Sequence, residues 1–338
     1  LIAEGVDPIE HRRQRKAENA HRDASSITFE QAAEKYIAAH EGEWRNPKHR
    51  AQWEASLKAY CAPIYATPVR LIDTPAVLKC LEPYWKERTE TASRVRGRIE
   101  SVLDWCRVRG FRDGENPARW KGHLDHLLAA PAKIKKAGHF AAMPYMGLGD
   151  FMLQLRKQEG IAARAVEFTI LCAARSGEVR GMTWAEVDLK SATWVVPASR
   201  MKGNREHRVP LSKQAVALLK IMPSQAGSDF VFAAPRGGQL SDMSLTAVLR
   251  RTKMTGATVH GFRSSFSTWC AEQTAFPQEV REAALAHVSA DKVALAYMRS
   301  DFQEKRAALA QAWADYCDRP SDEVAVIVPI KGRKRATA

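Results

Sequence analysis

Long apolar runs are missing from this chain of 338 residues: none approaches the roughly 18 that a membrane-spanning helix needs. No signal-peptide pattern is evident either, so the expectation is a cytoplasmic protein with no membrane partner. Cysteine is sparse. The six present (Cys61, Cys80, Cys106, Cys172, Cys270 and Cys317) lie far apart with no C-x-x-C pair, which disfavours a zinc site or a disulfide scaffold and suits a reducing compartment. The phosphate-cradling pattern G-x-x-x-x-G-K-[S/T] is absent. Acidic residues are the minority, 38 against 52 lysines and arginines, and the net charge of +14 with a pI near 9.6 points to a polyanionic partner. Nucleic acid is the economical choice, because each neutralised phosphate releases counterions.

What is present suggests two domains, since 338 residues with 45% apolar content exceed one ordinary core. Residues 1–26 read as a connector, with a turn at Val6-Asp7-Pro8 and a charged helical run over 9–19 that has too few apolar residues to fold alone. A start at Leu1 suggests a piece missing upstream. Residues 27–118 read as a helical domain. Thr28-Phe-Glu-Gln31 has capping-box spacing ahead of Ala32, Ala33, Tyr36 and Ile37, a second helix covers 49–60, and Asp73-Thr74-Pro75 caps a third. The last helix turns Val95, Ile99, Val102, Leu103 and Cys106 inward and ends at Gly110. Arg94, Arg96, Arg98, Arg107 and Arg109 lie mostly off that face. Any one of them is ordinarily a solvated residue, but five on one helix of a basic protein favour phosphate contact.

Residues 119–139, with Lys121, Lys133, Lys135 and Lys136, read as a basic linker; His123 and His126 are solvent-facing histidines more readily than metal ligands. The second domain, 140–318, opens with helices over 145–158 and 161–174 and continues with strands over 184–189, 193–197 and 205–211. Gly203-Asn204 marks the tip of a hairpin, so Lys202 sits on a projection able to reach a ligand. Arg175 stands where a packed helix gives way to Ser176-Gly177, with Glu178 placed to fix its fork. Helices then follow over 213–222, 241–252 and from near His260. Residues 319–338 hold a short apolar strand, Val324 to Val328, and a basic tail.

The stretch from His260 to Tyr297 gathers His260-Gly-Phe-Arg263, Leu285-Ala-His287 and Tyr297. If these converge, two histidines, an arginine and a phenol surround one point, a place to hold a phosphate while the phenol attacks it. His260 and Arg263, one helical turn apart, are about 5–6 Å from one another at Cβ and can face the same group. Each residue alone has a plainer reading: a satisfied core histidine, a helix-end ion pair, a turn lysine, a core tyrosine. Tyr316, near Trp313, is a rival nucleophile.

Arg175-Ser-Gly-Glu178, Lys202 in a hairpin, His260-Gly-Phe-Arg263, Leu285-Ala-His287 and Tyr297 together, in this order and rough spacing, resemble the tyrosine recombinases, the phage-integrase family. The runs His260 to Trp269 and Arg306 through Ala312-Trp313-Ala-Asp-Tyr316 are similar in style to prophage integrases of the satellite-phage type, and Phe302, Arg306, Leu309, Ala310 and Trp313 read as a helix that closes the domain. Two departures are Ser176, where proline is frequent in that family, and Ala286, where glycine is. The resemblance implies a mainly α fold with a small antiparallel β-sheet: a helical core-type DNA-binding domain followed by an α+β catalytic domain, with an N-terminal arm-binding domain absent. It implies that Arg175 and Arg263 bind the scissile phosphate, Tyr297 attacks it to give a 3′-phosphotyrosyl intermediate, His260 accepts a proton, Lys202 donates one to the leaving 5′ oxygen, His287 hydrogen-bonds the phosphate and Glu178 braces Arg175. DNA contacts are expected from Arg94, Arg96, Arg98, Lys133, Lys135 and Lys136. No cofactor, metal or ATP is required, because the phosphotyrosyl ester keeps the energy of the bond it replaces. Expected partners are double-stranded DNA attachment sites, a homotetramer on DNA, and an excision factor or a DNA-bending host protein. The alternative is a protein of the same fold that binds DNA without catalysis.

Overall fold

A computed structural model describes residues 27–44, 47–134, 141–201, 203–254, 256–287 and 301–320. The chain divides into two compact units, 1–138 and 139–338, each with its own core. Among the described residues no helix is long and apolar enough to cross a membrane.

The first unit is helical: α1 (Phe29–His40), α2 (Pro47–Tyr60), α3 (Thr74–Trp85) and α4 (Thr89–Val108). The capping box forms, with Gln31 N–H donating to Thr28 Oγ1 at 3.3 Å and Thr28 N–H to Gln31 Oε1 at 3.1 Å. Asp73 caps α3 by accepting from Ala76 N–H at 2.9 Å. The apolar face of α4 is fully buried: Val95, Ile99, Val102, Leu103 and Cys106 meet Phe29, Leu57 and Leu81 in one cluster. Gly110, at φ +74°, lets the chain leave the helix while Phe111 N–H returns to Cys106 O at 2.9 Å.

The second unit is built around α6 (Ile161–Leu171), which is preceded by α5 (Leu148–Arg156). Ala163, Ala165, Val166, Phe168, Ile170 and Leu171 are all buried, so α6 is enclosed on nearly every side, as expected of a central helix. Around it lie α7 (Ser176–Arg180), the strands β1 (Val187–Asp188), β2 (Thr193–Val196) and β3 (His207–Pro210), then α8 (Lys213–Lys220), α9 (Asp242–Arg251), α10 (Gly261–Gln273), α11 (Gln278–Ala284) and α12 (Gln303–Cys317). The sheet is antiparallel in the order β1-β2-β3, with Trp194 opposite Val209 and Val196 opposite His207.

The strand expected over 184–189 is mostly not one. Trp184–Glu186 forms a 3-10 turn, and pairing is confined to Val187 and Asp188. The reason is local, since the Asp188 carboxylate accepts from the backbone N–H groups of Lys190 and Ser191, an Asx-type turn that ends the ladder at once. The hairpin expected at Gly203-Asn204 is also longer than a two-residue turn. After β2 the chain makes a 3-10 turn over Ala198–Arg200, and Asn204 adopts φ +52°. The expected strand near Val324 to Val328 and the helical run over 9–19 lie outside the described residues.

Candidate active site

Just past α6 the chain turns through Ala173 at φ +46°, a left-handed conformation that any Cβ makes unfavourable, and Arg175 follows two residues later. Arg175 then opens α7. Its Nη1 donates to Glu178 Oε1 at 2.7 Å, and its own backbone N–H donates to Glu178 Oε2 at 3.1 Å. Glu178 is buried and both of its oxygens serve the one arginine, which fixes the guanidinium plane. Arg175 Nη2 reaches across to the carbonyls of Leu285 and Ala286 at 3.4 and 3.3 Å.

Arg263, one turn into α10, arrives from another direction at the same place. Its Nη1 donates to Ala173 O and its Nη2 to Leu285 O, each at 2.6 Å. Both guanidinium groups thus rest on the Leu285 carbonyl, although the arginines are 88 positions apart in the sequence. Burial, with the Arg175 charge alongside, lowers the Arg263 pKa to about 10, against the opposing pull of Glu178 and Glu282. The group stays cationic at neutral pH.

The turn that receives them is Leu285-Ala286-His287. Ala286 has φ +47°, a conformation in which glycine is unstrained. His287 Nδ1 lies 2.6 Å from Glu282 Oε2, and its Nε2 lies 3.4 Å from Arg263 Nη2. The Glu282 carboxylate holds the ring through Nδ1 and leaves Nε2 turned toward the guanidinium. His260, exposed at the start of α10, has its pKa lowered by partial burial and then by Arg263, Arg175 and His287. The neutral imidazole, able to accept a proton, is the favoured form.

Of the expected catalytic set the structure therefore brings together Arg175, Glu178, Arg263 and His287 by direct contact, with His260 in their electrostatic field. Lys202 and Tyr297 lie outside the described residues. Tyr316, the rival nucleophile, is buried against Trp313, Trp269 and Tyr145 at ring distances of 6.1, 5.5 and 5.9 Å. Its hydroxyl is buried without a hydrogen-bond partner among the described residues, and burial raises its pKa to about 12. It serves as a core residue.

Three groups at this site have no site role in the sequence reading. Glu282 is the partner of His287, five positions earlier. Arg306, on α12, is buried and donates to the carbonyls of Asp301 (3.2 Å) and Arg208. His207 faces the interior beside Val209, and its pKa is pulled down to about 4 by burial and then by Arg306, Arg175 and Arg263, against a hydrogen bond with the Ala284 backbone. Two-residue alternation along β3 could have flagged His207 as an inward polar residue.

The arginines expected to meet DNA have partners within the first unit. Arg96 donates to Glu100 at 2.5 Å and to Ala118 O at 2.9 Å. Arg98 donates to Gln52 O at 2.8 Å and to the Ser56 hydroxyl, and it covers the Trp53 ring at 5.2 Å. Arg94 is exposed and pairs with Glu90 at 2.6 Å. Lys133 lies in a single helical turn, Pro131–Ile134, and is exposed, while Lys135 and Lys136 lie outside the described residues. His123 Nε2 is 2.8 Å from Thr74 Oγ1, and among the described residues no three His, Cys, Asp or Glu side chains are grouped to hold a metal.

Residues 29–123 match the phage integrase central domain and residues 151–304 match the phage integrase family. The prophage integrase IntZ of Escherichia coli K12 is 32% identical over 330 residues, covering 94% of this chain and 77% of the relative. The integrase of Enterobacteria phage P4 is 26% identical over 361 residues, covering 99% and 78%. In fold, the chain is similar to a lambda integrase tetramer bound to a Holliday junction, with a TM-score of 0.63 at 16% identity over 85% of this chain and 83% of that one. A Tn1549 transposon integrase in complex with circular intermediate DNA gives 0.61 at 12% identity over 84% and 99%. With two consecutive family matches and an identity of 32% sustained along nearly the whole chain, the protein belongs to the phage integrase family of tyrosine recombinases and is a site-specific DNA recombinase.

Proposed function

We propose that Arg175 and Arg263 clamp the scissile phosphate of a DNA strand while Tyr297 displaces the 5′ oxygen. The observation that carries this reading is the convergence of both guanidinium groups on the Leu285 carbonyl, with His287 beside Arg263. A guanidinium has five N–H donors, so the anchoring bonds fix its position and leave donors for phosphate oxygens. The Tyr297 oxygen forms a bond to phosphorus and the bond from phosphorus to the 5′ oxygen breaks. A free phenol has a pKa of about 10 and needs help at neutral pH. His260 takes its proton, and Lys202 gives one to the departing 5′ oxygen. His287 hydrogen-bonds a phosphate oxygen and Glu178 holds Arg175 in place. Attack of another strand's 5′ hydroxyl on the phosphotyrosyl ester reverses these steps without ATP, and fixed cations stabilise the developing charge that a metal would otherwise face.

The partners follow from the same reading. The first unit, over 27–118, acts as a core-type DNA-binding domain, joined by the basic stretch 119–139 to the catalytic domain over 140–318, and each binds the duplex attachment site. Residues 319–338 supply a strand that pairs within its own domain or with a neighbouring protomer, and a basic tail that contacts DNA. Four copies assemble on two sites, by likeness to the lambda integrase tetramer on its junction. Their setting is the bacterial cytoplasm, where an excision factor or a DNA-bending host protein sets direction. DNA affinity falls steeply with salt.

The test is a nicked duplex carrying the site, incubated in chelator and run on a denaturing gel. The wild type is expected to give a covalent protein–DNA band and Tyr297→Phe none. A band from Tyr297→Phe sinks the assignment of the nucleophile. A wild-type band that appears only with added divalent metal sinks the mechanism, and a protein that shifts DNA in a native gel without ever becoming attached is the inactive alternative.

A further inference from the structure

The loop between β2 and β3 is tied down at its first half. Pro197 follows β2, Ala198–Arg200 makes a 3-10 turn, and Met201 is buried. Arg200 folds its guanidinium back across the unit. Its Nη2 donates to the backbone carbonyl of Glu178 at 3.0 Å and to Glu186 Oε2 at 3.0 Å, and that same carboxylate oxygen accepts from Trp194 Nε1 at 3.0 Å. Glu178 is the residue whose side chain holds Arg175. One guanidinium therefore joins the root of the loop to the residue that braces the phosphate clamp.

The surroundings are shaped for this contact. Gly181, just past α7, has an ordinary φ of −95°, so backbone freedom is not what it supplies. A Cβ there would stand 2.6 Å from Arg200 Nη1 and 3.1 Å from Gln239 Nε2. Stability alone explains Arg200 poorly. Its Nε and Nη1 are buried and donate to no acceptor among the described residues, and each unmet buried donor carries an uncompensated desolvation cost. Burial also lowers its pKa in spite of Glu186 and Glu178. An apolar side chain would fill the space without those costs.

We infer that Arg200 is a positioning residue for proton donation to the leaving group: it fixes the loop root, two residues before Lys202, against the element that carries Arg175 and Glu178. The inference rests on the reading of Lys202 as the general acid. Replacing the bridging 5′ oxygen of the scissile phosphate with sulfur separates the two. A thiolate departs as the phosphorus–sulfur bond breaks and needs no proton, so a defect confined to the general acid disappears on that substrate.

Covalent attachment rates are measured on matched oxygen and sulfur substrates for wild type, Lys202→Ala, Arg200→Ala and Gly181→Ala. Arg200→Ala is expected to slow cleavage of the oxygen substrate by about 10- to 100-fold, as misplacement of a catalytic group by about 1 Å does, and to recover the wild-type rate on sulfur. Gly181→Ala keeps the arginine but pushes its guanidinium aside, and the same recovery is expected, which guards against an Arg200→Ala protein that does not fold. Arg200 or Gly181 variants equally slow on both substrates, or unimpaired on oxygen, overturn the inference. If Lys202→Ala recovers on sulfur and the other two do not, only the role of Arg200 falls. If Lys202→Ala itself fails to recover, the general-acid reading falls with it.

Discussion

Arginines do opposite work in the two units. On α4 they are satisfied close to home: Arg94 by Glu90, Arg96 by Glu100 and Ala118 O, Arg98 by α2 and the face of Trp53. Around the Leu285 turn, Arg175 and Arg263 come from distant parts of the sequence, rest largely on backbone carbonyls, and face each other as like charges. Among the described residues, Arg175 pairs with a carboxylate and Arg263 does not. Carbonyls orient a guanidinium without neutralising it, so positive charge accumulates where a phosphate is proposed to sit. Arg94, Arg96 and Arg98 look more basic in the sequence, yet Glu90, Glu100, two backbone carbonyls and the Trp53 ring absorb much of their bonding capacity.

The sharpest way to break this contrast is to remove one arginine of each kind. Arg263→Ala is expected to reduce the covalent attachment rate by about 10²–10³-fold, the usual cost of deleting one preorganised charge-stabilising donor. Arg263→Lys should lose nearly as much, because an ammonium cannot reach Ala173 O and Leu285 O and still face a phosphate. Arg96→Ala should leave the attachment rate of bound protein unchanged. Single-turnover kinetics at saturating DNA measures all three, and equal losses for Arg263→Ala and Arg96→Ala would erase the distinction.

The charge around the Leu285 turn can also be weighed through His207. Its pKa, near 4 when folded against 6.5 for the ordinary group, means that the unfolded chain binds the proton more readily. The stability held above pH 6.5 is therefore lost as pH falls through 4, by on the order of 3 kcal/mol. The charges facing it are Arg306 from α12, Arg175 from the start of α7 and Arg263 from α10. Urea unfolding between pH 7 and pH 4 should show His207→Gln losing less stability than the wild type over that window. Parallel losses in the two proteins would mean that the cations do not act on His207.

How much of this was legible beforehand depends on what each feature requires. The α4 stripe, the Thr28 box and the Asp73 cap are local, and periodicity and capping chemistry place them within a residue or two. Arg175, Glu178, Arg263 and His287 could be picked out because of their fixed order, but nothing in their spacing shows that the Leu285 carbonyl is their meeting point. That carbonyl is a backbone atom in a turn at positive φ, and sequence patterns of side chains do not register it. Arg200 and His207 flank a hairpin, where a basic residue is ordinarily solvated, and Arg306 reads only as one position of a helical run; the packing of α7, α12 and β3 puts these three inside. The strand expected over 184–189 failed where an aspartate turn overrode an apolar run.

The smallest expected effect lies on the other side of the comparison and concerns stability, not chemistry. Arg98 joins α4 to α2 through Gln52 O, the Ser56 hydroxyl and the Trp53 ring, and burial together with nearby Arg94 lowers its pKa. Replacing it with alanine removes two hydrogen bonds and a cation–π contact while leaving no buried charge behind, so the cost is about 1–2 kcal/mol. Arg98→Met keeps the stem against Trp53 and should recover part of it. Denaturant midpoints read both values. If Arg98→Ala kept full stability but lost affinity for DNA in a salt-dependent way, with the slope against log salt reduced by about 1, the arginine would be a phosphate contact after all. The division between arginines that hold the fold and arginines that hold the substrate would then have to be redrawn.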